Sequence, residues 1–381
     1  MTSPRLLRAF ALLLSGALAT PCVQASASLA DALDRRLEEA EAAGFSGQVL
    51  VADAGGVVYE RQLGLADPAA GTPVTADTRF NLASTGKMFT AVAVMQLVEQ
   101  GKLDLDAPIG RYLPDWPVAT VREKVTARQL LIHTSGLGSY WGPDFESRRA
   151  GLRTLADHIP LLATEPDFEP GTGWQYSNSG FMLLGLLVEA ASGEDYHAYV
   201  GRHVFGPAGM ADTGYFEVDG KAPGVARPTV GGTRPDRFQG FGMPEPRGAA
   251  AGGGYSTARD LLAFHRALTG GKLLGREGLA QLFAAVQLPA GVRAPPHGQG
   301  VLRYATDSGV AYGHPGGARG VGVDFRGESQ GGWMIAVLSN SDQPFAMPVA
   351  DGLLAEVRTA GGPDLRFPGM GGGRVRVRPG G

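Results

Sequence analysis

The pattern that most constrains the fold is a pair of strand-rich segments at opposite ends of the chain, separated by a long region of helical character. Short β-branched and apolar runs, divided by glycine turns, predict these strands. They cover residues 45–53, 57–64, 310–314, 320–325 and 333–340. Because a sheet must bury its apolar face against other elements, we expect strands from both ends to share one antiparallel sheet with helices on its faces.

Apolar residues recur at helical spacing between and beyond these strands. The clearest case is residues 81–100, where Gly101 provides the stop. Further helical segments are predicted at 29–43, 127–132, 150–163, 179–192, 194–203, 259–268 and 349–359. The predicted fold class is therefore α+β, an antiparallel sheet flanked by helices with a mostly helical inserted subdomain. We assign residues 28–85 and 255–360 to the sheet-bearing part and 86–254 to the insertion.

The first 27 residues have the pattern of an export signal. Arg5 and Arg8 precede an apolar run at 9–19, and small residues at 23–27 offer a cleavage site. The apolar run is shorter than the roughly 20 residues that a membrane-spanning helix needs. We therefore predict a cleaved signal and a periplasmic or secreted protein, with no integral membrane segment after its removal. A lipoprotein anchored at Cys22 is the less favoured alternative.

Cysteine usage and charge exclude several classes of protein. Cys22 is the only cysteine, so removal of the signal leaves no disulfide, no cysteine nucleophile and no cysteine-based metal site. The formal net charge of the 381-residue chain is −3, which favours no nucleic-acid partner. The last stretch, residues 361–381, is rich in glycine and arginine, and we expect a disordered tail there.

One motif matches a known pattern but does not fit its context. Residues 327–331 read Gly-Glu-Ser-Gln-Gly, the letters of a nucleophile elbow. That elbow needs a strand-to-helix turn followed along the chain by an acid and a histidine, and no histidine follows His314. The segment lies between two predicted strands, so we interpret it as a hairpin turn.

The central chemical signal is Ser84 followed three residues later by Lys87. On a helix these positions share a face, so the two side chains can meet. A serine hydroxyl becomes a strong nucleophile when a neighbour accepts its proton, and a neutral lysine can do so. The alternative is a helix-capping serine beside a solvated lysine, which the tetrad alone does not exclude.

Two further segments strengthen the nucleophile interpretation. Tyr176 and Asn178 lie where a turn meets an apolar helical run, so that a phenol and an amide can face a ligand. By itself, a tyrosine such as Tyr176 is more often a packed aromatic residue. His314, Gly316 and Gly317 end a predicted strand, where glycines allow a substrate to approach backbone N–H groups.

Together these motifs resemble the serine β-lactamase and penicillin-binding-protein superfamily. Ser-x-x-Lys at 84–87, Tyr-x-Asn at 176–178 and His-x-Gly at 314–316 occur in the order that this family requires. Supporting similarity lies at 131–137 and 252–257, and the resemblance covers roughly residues 30–358. The branch it resembles holds class C β-lactamases, D-Ala-D-Ala carboxypeptidases, D-aminopeptidases and esterases.

The resemblance implies a role for each motif residue. Ser84 would be the acylated nucleophile, Lys87 its proton acceptor or electrostatic partner, and Tyr176 the general base or acid. Asn178 would hydrogen-bond Lys87 and the substrate, and the N–H groups of Ser84 and Gly317 would form the oxyanion hole. Which of Lys87 and Tyr176 takes the proton stays open.

The third motif departs from the family pattern. His314 and Pro315 stand where β-lactamases usually carry lysine and threonine, so the permanent cation for a substrate carboxylate is missing. This favours hydrolysis of an ester, amide or peptide bond over strong β-lactamase activity. The alternatives are a β-lactamase proper and a non-hydrolytic penicillin-binding or sensor relative.

No cofactor and no metal is needed for this chemistry. His314 as a metal ligand is disfavoured because no companion motif accompanies it, and His133 is expected to hold its own turn. We expect a small-molecule or peptide-like substrate. The sequence leaves the substrate and the oligomeric state open.

Overall fold

The computed structural model describes residues 22–217, 224–229, 247–307, 309–341 and 346–367, with side chains from residue 29 onward. The strands are β1 (Gly47–Asp53), β2 (Gly56–Leu63), β3 (Leu65–Asp67), β4 (Thr72–Pro73), β5 (Phe80–Asn81), β6 (Tyr255–Ser256), β7 (Leu302–Thr306), β8 (Gly309–Ala318), β9 (Val321–Glu328) and β10 (Met334–Ser339). Six of them form the main sheet in the order β2-β1-β10-β9-β8-β7, and neighbours are antiparallel.

Helices cover the sheet and fill the long sequence between β5 and β6. They are α1 (Cys22–Ala42), α2 (Lys87–Glu99), α3 (Ala119–Lys124), α4 (Ala127–Leu131), α5 (Pro143–Arg148), α6 (Leu155–Leu162), α7 (Asn178–Ser192), α8 (Tyr196–Val200), α9 (Gly206–Ala208), α10 (Ala258–Thr269), α11 (Arg276–Leu282) and α12 (Ala346–Thr359). A π-helical turn, Gly201–Phe205, joins α8 to α9. The arrangement confirms the predicted α+β fold with an antiparallel sheet flanked by helices.

The two ends of the chain meet in the middle of the sheet. β1 pairs with β10 in the register Val49↔Val337, so the first strand lies beside the last. Val49 and Val51 pack with α1 and α12, whereas Leu50 and Ala52 belong to the core cluster that includes α2 and α10. Because both faces are covered, β1 reads as a nearly continuous apolar run.

The strand β8 continues past the predicted end at residue 314. β7 pairs with β8 only as far as Gly313, so from His314 onward β9 is its partner among the described strands. Pro315 is tolerated there because a proline fits a strand that is open on one side. The sequence analysis did not predict β7. Only Tyr304 of this strand is buried, so its sequence lacks the alternation of apolar and polar residues that indicates a strand.

The predicted helix at 81–100 begins too early. Phe80 and Asn81 form β5, which pairs with β6 from the far side of the insertion, and α2 begins at Lys87. Residues Ala83–Gly86 form a 3₁₀ turn between the two. A strand of two residues whose partner lies far along the chain leaves no local signal, so sequence periodicity placed these residues in the helix.

The structure describes the two ends of the chain to different extents. Residues 1–21, most of the predicted export signal, lie outside the described residues, and α1 begins at Cys22. The tail was predicted to start too early, because Leu365 and Phe367 are buried in the cluster that contains α12. Residues 368–381 lie outside the described part. Within the described ranges, no helix combines the length and apolar character that crossing a bilayer requires.

A buried ion pair beneath the sheet generates a stability prediction. Arg326 of β9 is almost fully buried and binds Asp324 through two hydrogen bonds of 2.7 and 2.9 Å. Arg326 also donates to Asp351 Oδ1 at 2.7 Å, so Asp324→Ala leaves it one carboxylate but removes the acceptor of two buried N–H groups. Asp324→Ala should therefore lower the free energy of unfolding by about 3 kcal/mol. Chemical denaturation measures this loss.

The control is a pair of the same geometry on the surface. Asp106 binds Arg128 through hydrogen bonds of 2.7 and 2.8 Å, but its side chain is 67% exposed. Asp106→Ala should cost less than about 1 kcal/mol because water screens the exposed pair. Equal losses in the two variants would contradict the role given to burial.

Candidate active site

Ser84 lies on a tightly held turn at the entrance of α2. The preceding residue, Ala83, has a φ of 43°, a left-handed conformation that a residue with a side chain adopts only under constraint. Its N–H donates to Asn81 Oδ1 at 2.8 Å, and its carbonyl accepts from the N–H of Gly253 at 2.9 Å. The turn that presents Ser84 is therefore fixed by a side chain before it and by a backbone segment distant in sequence.

The amine of Lys87 meets the Ser84 hydroxyl. Nζ lies 3.3 Å from Ser84 Oγ and 2.8 Å from Asn178 Oδ1, and it also donates to the carbonyl oxygen of Ala251. The lysine side chain is fully buried. Burial disfavours the charged form of an amine, which suits a group that is to accept a proton from serine.

Tyr176 completes the contacts of the serine. Its hydroxyl is hydrogen-bonded to Ser84, and the Lys87 amine lies 4.9 Å from the centre of its ring. Tyr176 as a residue is 37% exposed. Its phenol nevertheless has a pKa well above the usual range because of burial, and the hydrogen bond with Ser84 lowers that pKa only in part. A protonated phenol can donate a hydrogen bond and relay a proton, but it does not act as a general base at neutral pH.

His133 supports the segment that carries Tyr176 and Asn178. Its Nδ1 accepts a hydrogen bond of 3.1 Å from the N–H of Ser177, and its ring centre lies 4.6 Å from that of Tyr176. Burial, with the Lys87 charge as a second cause, keeps the pKa of His133 well below its ordinary value, so Nδ1 stays an acceptor. The sequence predicted that His133 would hold only its own turn. The structure shows that it also positions the next motif.

Asn178 owes its position to the cap of α7. Ser177 accepts the N–H of Gly180 at 2.7 Å and donates to the carbonyl of Gly138 at 2.9 Å, which fixes the first turn of the helix. Asn178 is the first residue of α7, and its Nδ2 donates to Ser139 Oγ at 3.2 Å. These contacts orient the amide so that its oxygen faces Lys87.

The open edge of β8 brings the third motif to the nucleophile turn. Thr85 Oγ1 donates to the carbonyl of His314 at 3.0 Å. Gly316 is required by close packing, because a Cβ there would lie 2.4 Å from the carbonyl oxygen of Leu82. Gly317 lines the cleft beside Ser84. Of the two glycines predicted to serve the substrate, Gly316 therefore has a packing role and Gly317 borders the cleft.

His314 is neutral where a family lysine would be charged. Its Nδ1 lies 2.6 Å from the carbonyl of Pro315, a contact in which the nitrogen donates. Burial, followed by the charge of Lys87, lowers the pKa of His314 to about 3. The ring thus carries no positive charge at neutral pH, in agreement with the sequence argument.

The cleft over Ser84 is narrow, and the residues described along it are uncharged. It encloses about 50 Å³, and its described lining is Asn81, Ala83, Ser84, Tyr140, Trp141, Tyr176, Asn178, Ala251, Gly252, Gly253, Gly317 and Ala318. None of these side chains is charged. Sequence reasoning missed the aromatic pair Tyr140 and Trp141, since no periodic pattern marks their loop.

Other features of the described residues do not compete with this site. A larger groove of about 730 Å³ lies between β7 and the segment after α12, lined by residues such as Tyr304, Trp333 and Arg366, and it contains no predicted site residue. Ser329 of the Gly-Glu-Ser-Gln-Gly segment lies in the turn after β9. Within the described ranges, no three His, Cys, Asp or Glu side chains gather into a possible metal site.

Comparisons with known proteins agree with this geometry. Esterase EstB from Burkholderia gladioli is 34% identical over 329 residues, 76% of this chain and 83% of that protein. Penicillin-binding protein 4* of Bacillus subtilis (strain 168) is 36% identical over 173 residues, 44% of this chain but only 38% of that protein. The D-amino acid amidase of Ochrobactrum anthropi SV3, a solved structure with bound D-phenylalanine, superposes with a TM-score of 0.71 at 25% identity, covering 87% of this chain and 99% of that one.

An antiparallel sheet with a helical insertion, and a serine and a lysine at the start of one helix, define a serine hydrolase of the β-lactamase fold. A model of the beta-lactamase family matches residues 29–359. The chain belongs to the beta-lactamase family, whose members similar to this chain include an esterase and a D-aminopeptidase.

Proposed function

We propose that the protein is an exported hydrolase that cleaves carboxylic esters of uncharged substrates through an acyl-enzyme on Ser84. The observation that carries the proposal is the buried Lys87 amine 3.3 Å from Ser84 Oγ, with the Tyr176 hydroxyl on the same oxygen. A hydroxyl that touches both a desolvated amine and a phenol has a route for its proton when it attacks a carbonyl carbon.

The proposed reaction has two halves. Ser84 Oγ bonds to the ester carbonyl carbon while its proton passes to Lys87, and the N–H groups of Ser84 and Gly317 stabilise the oxyanion. The carbon–oxygen bond to the alcohol then breaks, and the alcohol leaves with a proton returned from Lys87 through the Tyr176 hydroxyl. Water attacks the acyl group by the same route in reverse, which releases the acid and restores Ser84.

The chemistry of the cleft favours esters over β-lactams. Penicillins and D-Ala-D-Ala peptides carry a carboxylate, and neither the neutral His314 nor the described lining of the cleft offers it a cation. Esterase EstB, 83% of whose length is covered at 34% identity, is named an esterase. The structural similarity to a D-amino acid amidase supports hydrolysis of D-amino amides as the second candidate.

Removal of the nucleophile tests the acyl-enzyme. Ser84→Ala should lower kcat/KM for a p-nitrophenyl ester by at least about 10³-fold, since loss of a catalytic serine removes the covalent route. A fluorophosphonate should add one mass equivalent to the wild type but not to this variant. Ser329→Ala, which changes the serine of the rejected elbow motif, is the control and should behave as wild type. Equal rates for wild type and Ser84→Ala would end the proposal.

The neutral cleft predicts discrimination by substrate charge. Methyl 4-acetoxybenzoate and 4-acetoxybenzoate differ by an ester or a carboxylate at the same position. We expect kcat/KM for hydrolysis of the acetyl ester to be at least about tenfold higher for the neutral compound. This ratio corresponds to about 1.4 kcal/mol for desolvating a carboxylate that gains no partner in the cleft. His314→Lys should narrow this ratio by restoring a cation. A carboxylate preferred by the wild-type protein would contradict the assignment.

Export is the remaining part of the proposal. It is supported by the charged start, the short apolar run and the small residues at 23–27. Expression of the full chain with its first 27 residues should yield a periplasmic or secreted product whose intact mass lacks that segment. A cytoplasmic product of full mass would refute export and leave the chemistry at Ser84 unaffected.

A further inference from the structure

The segment from Arg247 to Gly254, which we name the strap, passes beside the catalytic lysine. Its centre is a tight turn closed by Ala249 and Gly252, whose backbones exchange hydrogen bonds of 2.8 and 3.1 Å. Ala250 and Ala251 form the tip of the turn, and both are buried. The tip therefore presents two carbonyl groups to the protein interior, where each needs a donor.

One face of α2 supplies both donors. Lys87 donates to the carbonyl of Ala251, and Thr90 Oγ1 donates to the carbonyl of Ala250 at 2.7 Å. Lys87 and Thr90 are three residues apart, so they lie on the same side of the helix. The residues that bind the tip of the strap are thus the catalytic lysine and a threonine one turn further along.

A chain of hydroxyl groups extends from Thr90, and its direction can be worked out. A carbonyl only accepts, so the Thr90 hydroxyl donates its hydrogen to the carbonyl of Ala250. Thr90 therefore accepts a hydrogen bond from the Tyr196 hydroxyl, which lies 2.6 Å away. Tyr196 has then given its own proton to Thr90, so it accepts from the Tyr215 hydroxyl at 3.1 Å. Burial raises the pKa of Tyr196 to about 12, so this phenol stays a donor at neutral pH.

The far end of the strap is held separately. His197 Nε2 lies 3.1 Å from the carbonyl of Gly248, and Arg247 Nε donates to the carbonyl of Tyr215 at 3.2 Å. On the other side of the tip, Gly252 has a φ of 145°, and a Cβ there would lie 2.5 Å from the carbonyl oxygen of Ala83. The strap runs directly from this anchored tip to the backbone of the nucleophile turn.

We propose that Thr90 and Tyr196 are positioning residues, which act on catalysis by holding the Ala250–Ala251 turn so that the Ala251 carbonyl keeps the Lys87 amine against Ser84. Neither is among the described residues that line the cleft. Hydrogen bonds in such a chain polarise one another, so loss of one link weakens the grip on the tip. The glycines that follow the tip supply little resistance to its movement. This inference rests on the proposed role of Ser84 and Lys87.

The test separates the rate of chemistry from substrate binding. Thr90→Val keeps the size of the side chain and removes the donor to Ala250. We expect kcat for a p-nitrophenyl ester to fall about tenfold or more while KM changes less than about twofold, because the change disturbs the proton acceptor and not the cleft. Thr90→Ser keeps the hydroxyl and should restore most of the rate.

Tyr196→Phe is the second variant, and it removes the donor to Thr90 together with the acceptor for the Tyr215 hydroxyl. We expect a smaller fall in kcat, about threefold to tenfold, again with KM little changed. Since both residues act through one carbonyl, the double variant should lose no more than Thr90→Val alone. Tyr199→Phe is the matched control, because Tyr199 is a buried tyrosine of the same helix whose ring centre lies 4.4 Å from that of His203, with the rings tilted by 39°.

Two results would overturn the inference. One is a folded Thr90→Val protein whose kcat and whose rate of Ser84 labelling by a fluorophosphonate equal those of wild type. The other is a crystal structure of that variant in which Ala251 and Lys87 keep their contact, and this readout does not depend on turnover. Absence of any Ser84-dependent reaction in the wild type would instead refute the proposed function, together with the positioning role that depends on it.

Discussion

The burial of one amine is the constraint on which the rest of the site depends. Lys87 is removed from water, and an amine in that setting is tolerated only when its hydrogens find acceptors. Two acceptors come from α7 and from the strap, as Asn178 and Ala251, and the nitrogen lies 3.3 Å from the Ser84 hydroxyl. The helical insertion, the strap and the nucleophile turn must therefore all be in place before the amine is satisfied, so folding and assembly of the site are one event.

The sheet brings these elements together through pairings between distant parts of the chain. β1 with β10, and β5 with β6, join residues from opposite sides of the insertion. The open half of β8 then receives the nucleophile turn, through Thr85 and through the missing side chain of Gly316. The proposed reaction places the substrate carbonyl beside this strand edge, where the N–H groups of Ser84 and Gly317 would stabilise the oxyanion.

The third motif shows how one scaffold can serve different substrates. A fold does not dictate function, and relatives of this chain include an esterase, a D-aminopeptidase and penicillin-binding proteins. In this chain a neutral His314 replaces a permanent cation, while the serine, lysine, tyrosine and asparagine of the other motifs remain. Under the proposed function, this difference affects which substrates are recognised and leaves the residues of the covalent step unchanged.

The sequence by itself determined the fold class, the order of the motifs and the pairing of Ser84 with Lys87. These follow from local rules, since apolar periodicity reports which face is buried and a spacing of three places two side chains on one side of a turn. Only the tertiary structure decided that Ala251 faces Lys87, that His133 supports Ser177 and that β5 replaces the start of the predicted helix. Each of these contacts joins residues far apart along the chain. A hydrogen bond to one carbonyl or one ring nitrogen leaves no repeating pattern in the sequence, so the partner cannot be predicted from it.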